Sequence, residues 1–229
     1  MHQPNYLPWI GLFSKIIQGD CFVIMDNLQY TKDGVIHRNK IRTNTGFGYL
    51  TIPINKDFRE VSINAVELPC DQKWKETHWQ TIYRNYKKAD FFQDYSEYFE
   101  SLYKKDFRYL WMINVEIIRY LLKNFNINVE IIIGSSLNLN QNLKHTDMII
   151  ACMEKIGAKT YLSGPSGRNY MEFEKARRAG LTLRFSEFIH PVYKQRYPGF
   201  EPNMSAIDLL FNMGPHSEHI IKSSGSMKD

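Results

Sequence analysis

The sequence lacks most of the short motifs that identify a chemistry from the chain alone. It contains no H-E-x-x-H zinc pattern, no phosphate-binding loop ending in G-K-[ST], and no G-x-S-x-G nucleophile turn. Its three cysteines, Cys21, Cys70 and Cys152, include no C-x-x-C pair, which argues against a disulfide framework and a zinc ribbon. We therefore expect all three to be small buried hydrophobic residues in a reducing compartment.

Long apolar runs and concentrated charge are also missing. No stretch approaches the roughly 18 consecutive apolar residues of a membrane span, and the start is not a charged-then-apolar signal peptide. These absences predict a cytoplasmic protein. The formal net charge of +5 is spread along the chain, and no nucleic-acid-binding pattern is present. Nucleic acid is therefore not expected as a main partner, whereas a phosphate or a nucleotide sugar suits the sign of the charge.

What is present is an ordinary globular composition. Of 229 residues, 43% are hydrophobic and 14% aromatic, which is enough for a core without disulfides or metal. We predict a single domain over residues 1–222. The last residues, 223–229, are small and polar, and we expect them to form a flexible tail.

Strand-like and helix-like segments alternate in the final third of the chain. This order predicts an α/β fold, with a mainly parallel sheet flanked by helices. The predicted strands are residues 21–25, 129–133, 160–163 and 181–188. A turn at residues 43–46 between two strand-like runs predicts an antiparallel hairpin. The middle of the chain, about residues 74–126, has apolar residues at three- and four-residue spacing and predicts a helical segment.

The first candidate site segment is the octapeptide HQPNYLPW at residues 2–9. Two prolines make it rigid, and His titrates near neutrality, so His2 is the natural general base. Four further side chains could orient a substrate: Gln3, Asn5, Tyr6 and Trp9. An ordinary N-terminal arm with a surface histidine is the alternative interpretation.

The second candidate segment follows the first predicted strand. Asp26 could bind an amine or a sugar hydroxyl, with Tyr30 and Asn39 nearby in sequence. Arg38 and Lys40 are two residues apart, so on a strand they face the same side. Two cations on one face suit a phosphate or a carboxylate. The alternative is a hairpin edge protected by charge.

Two further segments complete the candidate set. Ser163 and Gly164 open a glycine-containing turn before a helix, which suits an anion, although a plain strand-to-helix turn is equally consistent. Tyr193 and Gln195 follow a His-Pro bend. They precede Asp208, for which helix capping is the alternative reading.

The octapeptide resembles the signature of the WbqC-like protein family. The resemblance continues through residues 13–16, 26–30, 38–41, 50–53, 161–164, 190–195 and 205–211, and so spans essentially the whole chain. It implies a bacterial protein and a place in O-antigen or other surface-polysaccharide synthesis. It also implies a short apolar strand before the octapeptide, where this sequence has Met1 alone.

The function implied by the resemblance is glycine transfer, in which an activated acyl donor modifies the amino group of a nucleotide-linked amino sugar. From side-chain chemistry we assign His2, Asp26 and Arg38 to the reacting centre and Lys40, Ser163 and Gly164 to phosphate or oxyanion binding. Tyr6, Trp9 and Tyr193 are assigned to stacking on the sugar or base.

Two other functions fit the same residues. One is a metal-dependent hydrolase with His2, Asp26 and His37 as ligands, although no pair of the candidate residues has metal-ligand spacing. The other is a non-catalytic sugar-nucleotide binding protein. The sequence identifies no cofactor.

Overall fold

The strands confirm the predicted α/β class. The structure is a computed structural model that describes residues 1–32, 34–54, 61–71 and 73–228. Its strands are short, as follows: β1 (Cys21–Ile24), β2 (Arg38–Thr43), β3 (Gly46–Thr51), β4 (Glu130–Ile133), β5 (Thr160–Ser163), β6 (Thr182–Phe188) and β7 (Gly225–Lys228).

The helices surround these strands. They are α1 (Ile10–Ile16), α2 (Lys73–Tyr86), α3 (Phe92–Lys104), α4 (Leu110–Asn124), α5 (His145–Lys155), α6 (Phe173–Arg178), α7 (Ala206–Met213) and α8 (Ser217–Ser223). Helices α2 to α4 are the predicted helical middle segment. On α4 the apolar residues at three- and four-residue spacing form a buried stripe: Leu110, Ile113, Ile117, Leu121 and Leu122. None of the helices in the described ranges has the length and apolar character needed to cross a bilayer.

The parallel strands form two separate sheets instead of one continuous sheet. β1 pairs with β4 in parallel, and β5 pairs in parallel with β6, whose other edge carries β7 antiparallel. A groove of about 510 Å³ separates the facing edges of β1 and β5. At one end of this groove His2 forms a parallel bridge with Ile24, because its N–H donates to Val23 O at 3.0 Å and its carbonyl accepts from Met25 N.

The predicted hairpin consists of β2 and β3, which pair antiparallel from Arg38↔Thr51 to Thr43↔Gly46. Arg38 and Lys40 lie on the same face, as their spacing predicts, because both cations approach the ring of Tyr49, at 4.5 and 5.7 Å from its centroid.

Three local predictions are wrong. The apolar residues within 61–68 predict one more strand, but the structure has a 3₁₀ turn at Ile63–Ala65. The expected flexible tail forms β7, because the outer edge of β6 offers unpaired backbone groups. Cys70 is exposed, while Cys21 is half-buried and only Cys152 is fully buried.

The sequence predicts N-caps at Thr146 and Ser205, because each stands just before a helix-like run. Thr146 instead lies inside α5, and its hydroxyl accepts from the N–H of Glu172. Ser205 does cap α7, accepting from the N–H of Ile207.

The core has two apolar clusters. The larger packs α1 to α4 and α7 around residues such as Phe13, Phe99 and Phe211. The smaller packs α5 and α6 on β5 and β6. The groove between β1 and β5 and the loops at the ends of these strands lie where the clusters meet.

Candidate functional site

Side-chain amides hold the octapeptide loop in a fixed shape. Asn39 donates through Nδ2 to Leu7 O at 2.7 Å. Asn114, from the buried face of α4, donates to Pro4 O at 2.9 Å and to Ile36 O at 2.7 Å. Leu7 has a φ of +44°, which is unfavourable for a side chain of this kind. These bonds offset that strain, so Asn39 and Asn114 position the loop.

The loop borders a cleft made of two adjoining cavities, which we call the main lobe (about 660 Å³) and the minor lobe (about 340 Å³). The cleft lies beyond the carboxyl ends of β5 and β1. His2 lies beside the end of β1, where it bridges Ile24. In open α/β folds this is the position where ligands bind. The two lobes share four residues: His2, Lys15, Gly164 and Ser166.

The imidazole of His2 is neutral and oriented. Its Nδ1 lies 2.9 Å from Gln3 O, and because a carbonyl can only accept, Nδ1 carries the hydrogen. This leaves Nε2 as the nitrogen with a lone pair. Burial and the nearby Lys15 ammonium lower the pKa of His2 to about 4. At neutral pH the ring is therefore an acceptor of protons or hydrogen bonds.

Lys15 and His145 are cleft residues that the sequence did not single out. Lys15 is half-buried on α1, and this burial lowers its pKa to about 8. His145 begins α5 with a φ of +46°. Its ring contacts that of Tyr170, with centroids 5.8 Å apart, and both residues line the main lobe. A strained backbone in a cleft wall is a hallmark of a functional position.

The predicted residues Gln3, Trp9, Ser163 and Gly164 do line the cleft. Gln3 and Ser163 line the main lobe, Trp9 the minor lobe, and Gly164 both. Trp9 packs edge-on against Phe188 with ring centroids 5.0 Å apart. Ser163 is buried, and its hydroxyl donates to Gly164 O at 3.0 Å.

Asp26 does not line either lobe. Its carboxylate accepts from the N–H of Ser135 at 2.8 Å and from Asn64 Nδ2 at 3.2 Å. It ties the loop after β4 to residues 61–65, so its position favours a structural role over a place at the reacting centre.

Two members of the octapeptide point into the core. Tyr6 is fully buried, and its hydroxyl contacts His78 Nδ1 at 2.8 Å and Tyr103 Oη at 2.5 Å, so no face of its ring is open for stacking. Asn5 is also buried, and its amide has no hydrogen-bond partner among the described residues. A buried unpaired amide costs about 1–3 kcal/mol.

The hairpin residues lie outside the cleft. Arg38 stacks on Tyr49, and Lys40 Nζ lies 4.1 Å from the ring centroid of Phe47. Tyr30 is buried against His37, with Oη 3.0 Å from Nδ1. The structure therefore does not bring Arg38, Lys40 or Tyr30 to His2.

Tyr193 and Gln195 belong to a buried polar network. Both donate to the carboxylate of Asp208, at 2.7 and 2.8 Å. Burial raises the pKa of Asp208, although these donors act against the rise. Asp208 is thus the centre of a structural network, and the network encloses Tyr193 too completely for stacking on a ligand.

The ligand set suggested for a metal-dependent enzyme does not assemble. Within residues 1–32, 34–54, 61–71 and 73–228, no three His, Cys, Asp or Glu side chains are grouped so that they could hold a metal ion. His2, Asp26 and His37 therefore do not meet.

Comparison with known proteins adds the family. The model of the WbqC-like protein family matches residues 3–220. The chain belongs to the WbqC-like protein family. It is also similar to the "Uncharacterized protein Rv1507c" of Mycobacterium tuberculosis, with 27% identity over 228 residues, covering 96% of this chain and 95% of that relative. No solved structure matches.

In this WbqC-like protein the family match includes every residue of the cleft except Met1 and His2, because it begins at Gln3. It also includes Asn39, Asn114 and Asp208, whose side chains shape the loop and the core around the cleft.

Proposed function

We propose that this WbqC-like protein is an acyltransferase that attaches an aminoacyl group, such as glycine, to the amino group of a nucleotide-linked amino sugar in O-antigen biosynthesis. We expect the reaction to occur in the cytoplasm. The observation that carries the proposal is the neutral imidazole of His2, a residue that lines both of the adjoining cavities.

Two cavities that meet at one base suit a transfer between two substrates. The main lobe, at about 660 Å³, is large enough for most of a nucleotide sugar. The minor lobe, at about 340 Å³, suits a smaller group and is lined by Trp9 and Phe188. Holding both substrates beside one another converts a bimolecular reaction into an effectively unimolecular one.

The step itself is acyl transfer. The sugar amine attacks the carbonyl carbon of an activated glycyl ester, thioester or phosphate, and a new N–C bond forms. His2 Nε2 accepts the proton that the amine nitrogen loses. As the bond from the carbonyl carbon to the leaving group breaks, the proton passes from His2 to that group. The wall formed by Ser163 and Gly164 faces this junction.

The test is an incubation of purified protein with dTDP-linked amino sugars and activated glycine donors, followed by mass spectrometry of the sugar nucleotide. We expect a mass increase of one glycyl group. His2→Gln keeps the size of the side chain but removes the base, so the rate should fall by about a hundredfold or more. His219→Gln changes an exposed histidine on α8 and serves as the matched control.

A reaction that is equally fast in His2→Gln would contradict the role of His2. Binding of the sugar nucleotide by the unaltered protein without any product, over the full donor series, would instead favour the non-catalytic binding protein.

A further inference from the structure

Lys15 carries a charge that the protein itself does not neutralise. Its Nζ donates to Met1 O at 3.2 Å, and no carboxylate among the described residues pairs with it. An ammonium has three donors, so this one bond leaves donor capacity unused in a half-buried position. Buried charges in proteins are normally paired.

Lys15 lines both lobes of the cleft and also the groove between β1 and β5, where Asp20 is another lining residue. Within the described part of the chain, neither lobe is lined by an Asp or Glu. The main lobe adds Lys144 and His145, together with the hydroxyl groups of Ser166 and Tyr170. Cations and hydroxyl donors around a cavity without carboxylates are the lining that a phosphate requires.

We propose that Lys15 binds the phosphate or diphosphate group of an anionic ligand at the junction of the two lobes. This inference rests on the same cleft as the proposed function and names the group by which a substrate is held there. It is nevertheless measurable without turnover. The phosphate could come from the nucleotide sugar or from an acyl phosphate donor, and both sources share this chemistry.

The position of Lys15 gives the bound phosphate a second effect. The Lys15 ammonium is one of the groups that lower the pKa of His2. An anion bound to Lys15 offsets that charge, so the pKa of His2 rises and the imidazole becomes a stronger base when the ligand is in place. The ligand thus helps to activate the base that acts on it.

The experiment is isothermal titration of the full-length protein with inorganic pyrophosphate at constant ionic strength. We expect Lys15→Met to weaken binding by about tenfold or more, as loss of a charge-assisted hydrogen bond predicts, and Lys15→Arg to retain most of it. Lys88→Met, an exposed lysine beyond α2, is the matched control and should bind like the unaltered protein. Urea denaturation shows that each variant is folded.

Separate titrations with dTDP and with acetyl phosphate distinguish the two sources, because the ligand that loses affinity in Lys15→Met is the one that Lys15 holds. NMR titration of His2 provides the second readout, with a rise of its pKa on pyrophosphate addition in the unaltered protein and none in Lys15→Met. Equal pyrophosphate affinity in Lys15→Met, or no binding by the unaltered protein at millimolar concentrations, overturns the inference. Lys15-dependent binding without any acyl transfer leaves the inference standing and removes the proposed function.

Discussion

Replacing Lys15 by Met should make the free protein more stable even though it impairs phosphate binding. Burial lowers the pKa of Lys15 from 10.5 to about 8. Each pKa unit corresponds to about 1.4 kcal/mol, so holding the charged form in the folded state costs about 3 kcal/mol. Loss of the bond to Met1 O offsets about 1 kcal/mol of this. The expected gain in the free energy of unfolding at pH 7 is therefore about 2 kcal/mol.

The gain in stability depends on pH. The folded pKa of Lys15 lies below the unfolded value, so the cost of burying its charge is complete below about pH 8. The cost fades as the pH rises through 8 and past 10.5, and it is gone only above that value, where Lys15 is neutral in both states. In the folded protein the amino group of Met1, with a pKa of about 5, and His2, with a pKa of about 4, are already neutral in this range.

The assay is urea denaturation of the unaltered protein, Lys15→Met and Lys88→Met at pH 7 and pH 10. We expect the advantage of Lys15→Met to be clear at pH 7 and to shrink at pH 10, with Lys88→Met within about 0.5 kcal/mol of the unaltered protein at both. A Lys15→Met protein that is less stable at pH 7 would refute the view that Lys15 is an uncompensated charge kept for ligand binding.

Three further predictions concern residues around the cleft. Tyr193→Phe removes a donor to the Asp208 carboxylate, so it should lower the free energy of unfolding by about 1.5–3 kcal/mol. Pyrophosphate affinity should stay unchanged in the titration. A loss of affinity without a loss of stability would mean that Tyr193 contacts the ligand after all. Asn114→Ala removes the donor of Pro4 O and one of the two donors of Ile36 O, which also accepts from Tyr6 N. Urea denaturation should therefore show a loss of about 1–3 kcal/mol, and pyrophosphate binding should weaken. Unchanged binding would mean that the loop keeps its shape without Asn114. Gly167→Ala places a methyl group against Ser163 Oγ. The free energy of unfolding should fall by about 1–3 kcal/mol in the same assay. Unchanged stability would mean that the turn after β5 can move aside.

The cleft was predicted only in part from the sequence. The octapeptide and the turn at Ser163 and Gly164 were recognisable because prolines, glycines and polar groups cluster at the ends of apolar runs. Lys15 was missed because a lysine among the apolar residues of a short helix gives no signal of burial. Lys15 lines the cleft only because β5 forms another part of its wall. β5 lies about 145 residues further along the chain and belongs to a different sheet from β1.

Polar residues near the octapeptide were the main source of misplaced predictions. Arg38 and Asp26 have the chemistry of site residues, but a sequence does not give the direction of a side chain relative to a distant wall. In the structure Arg38 stacks on Tyr49, and Asp26 accepts a backbone hydrogen bond from Ser135. The same residue types serve structure or catalysis according to the groups they meet.

Local pattern by itself determined the α/β class, the helical middle segment, the hairpin and the exact limits of β5, because side-chain periodicity and turn residues act over a few positions. Only the tertiary structure decided that β7 closes the edge of β6, that the parallel strands form two sheets, and that Lys15 and His2 line the same two cavities. The physical reason is that burial and electrostatic interaction depend on distances between segments far apart in the chain, which the folded core sets.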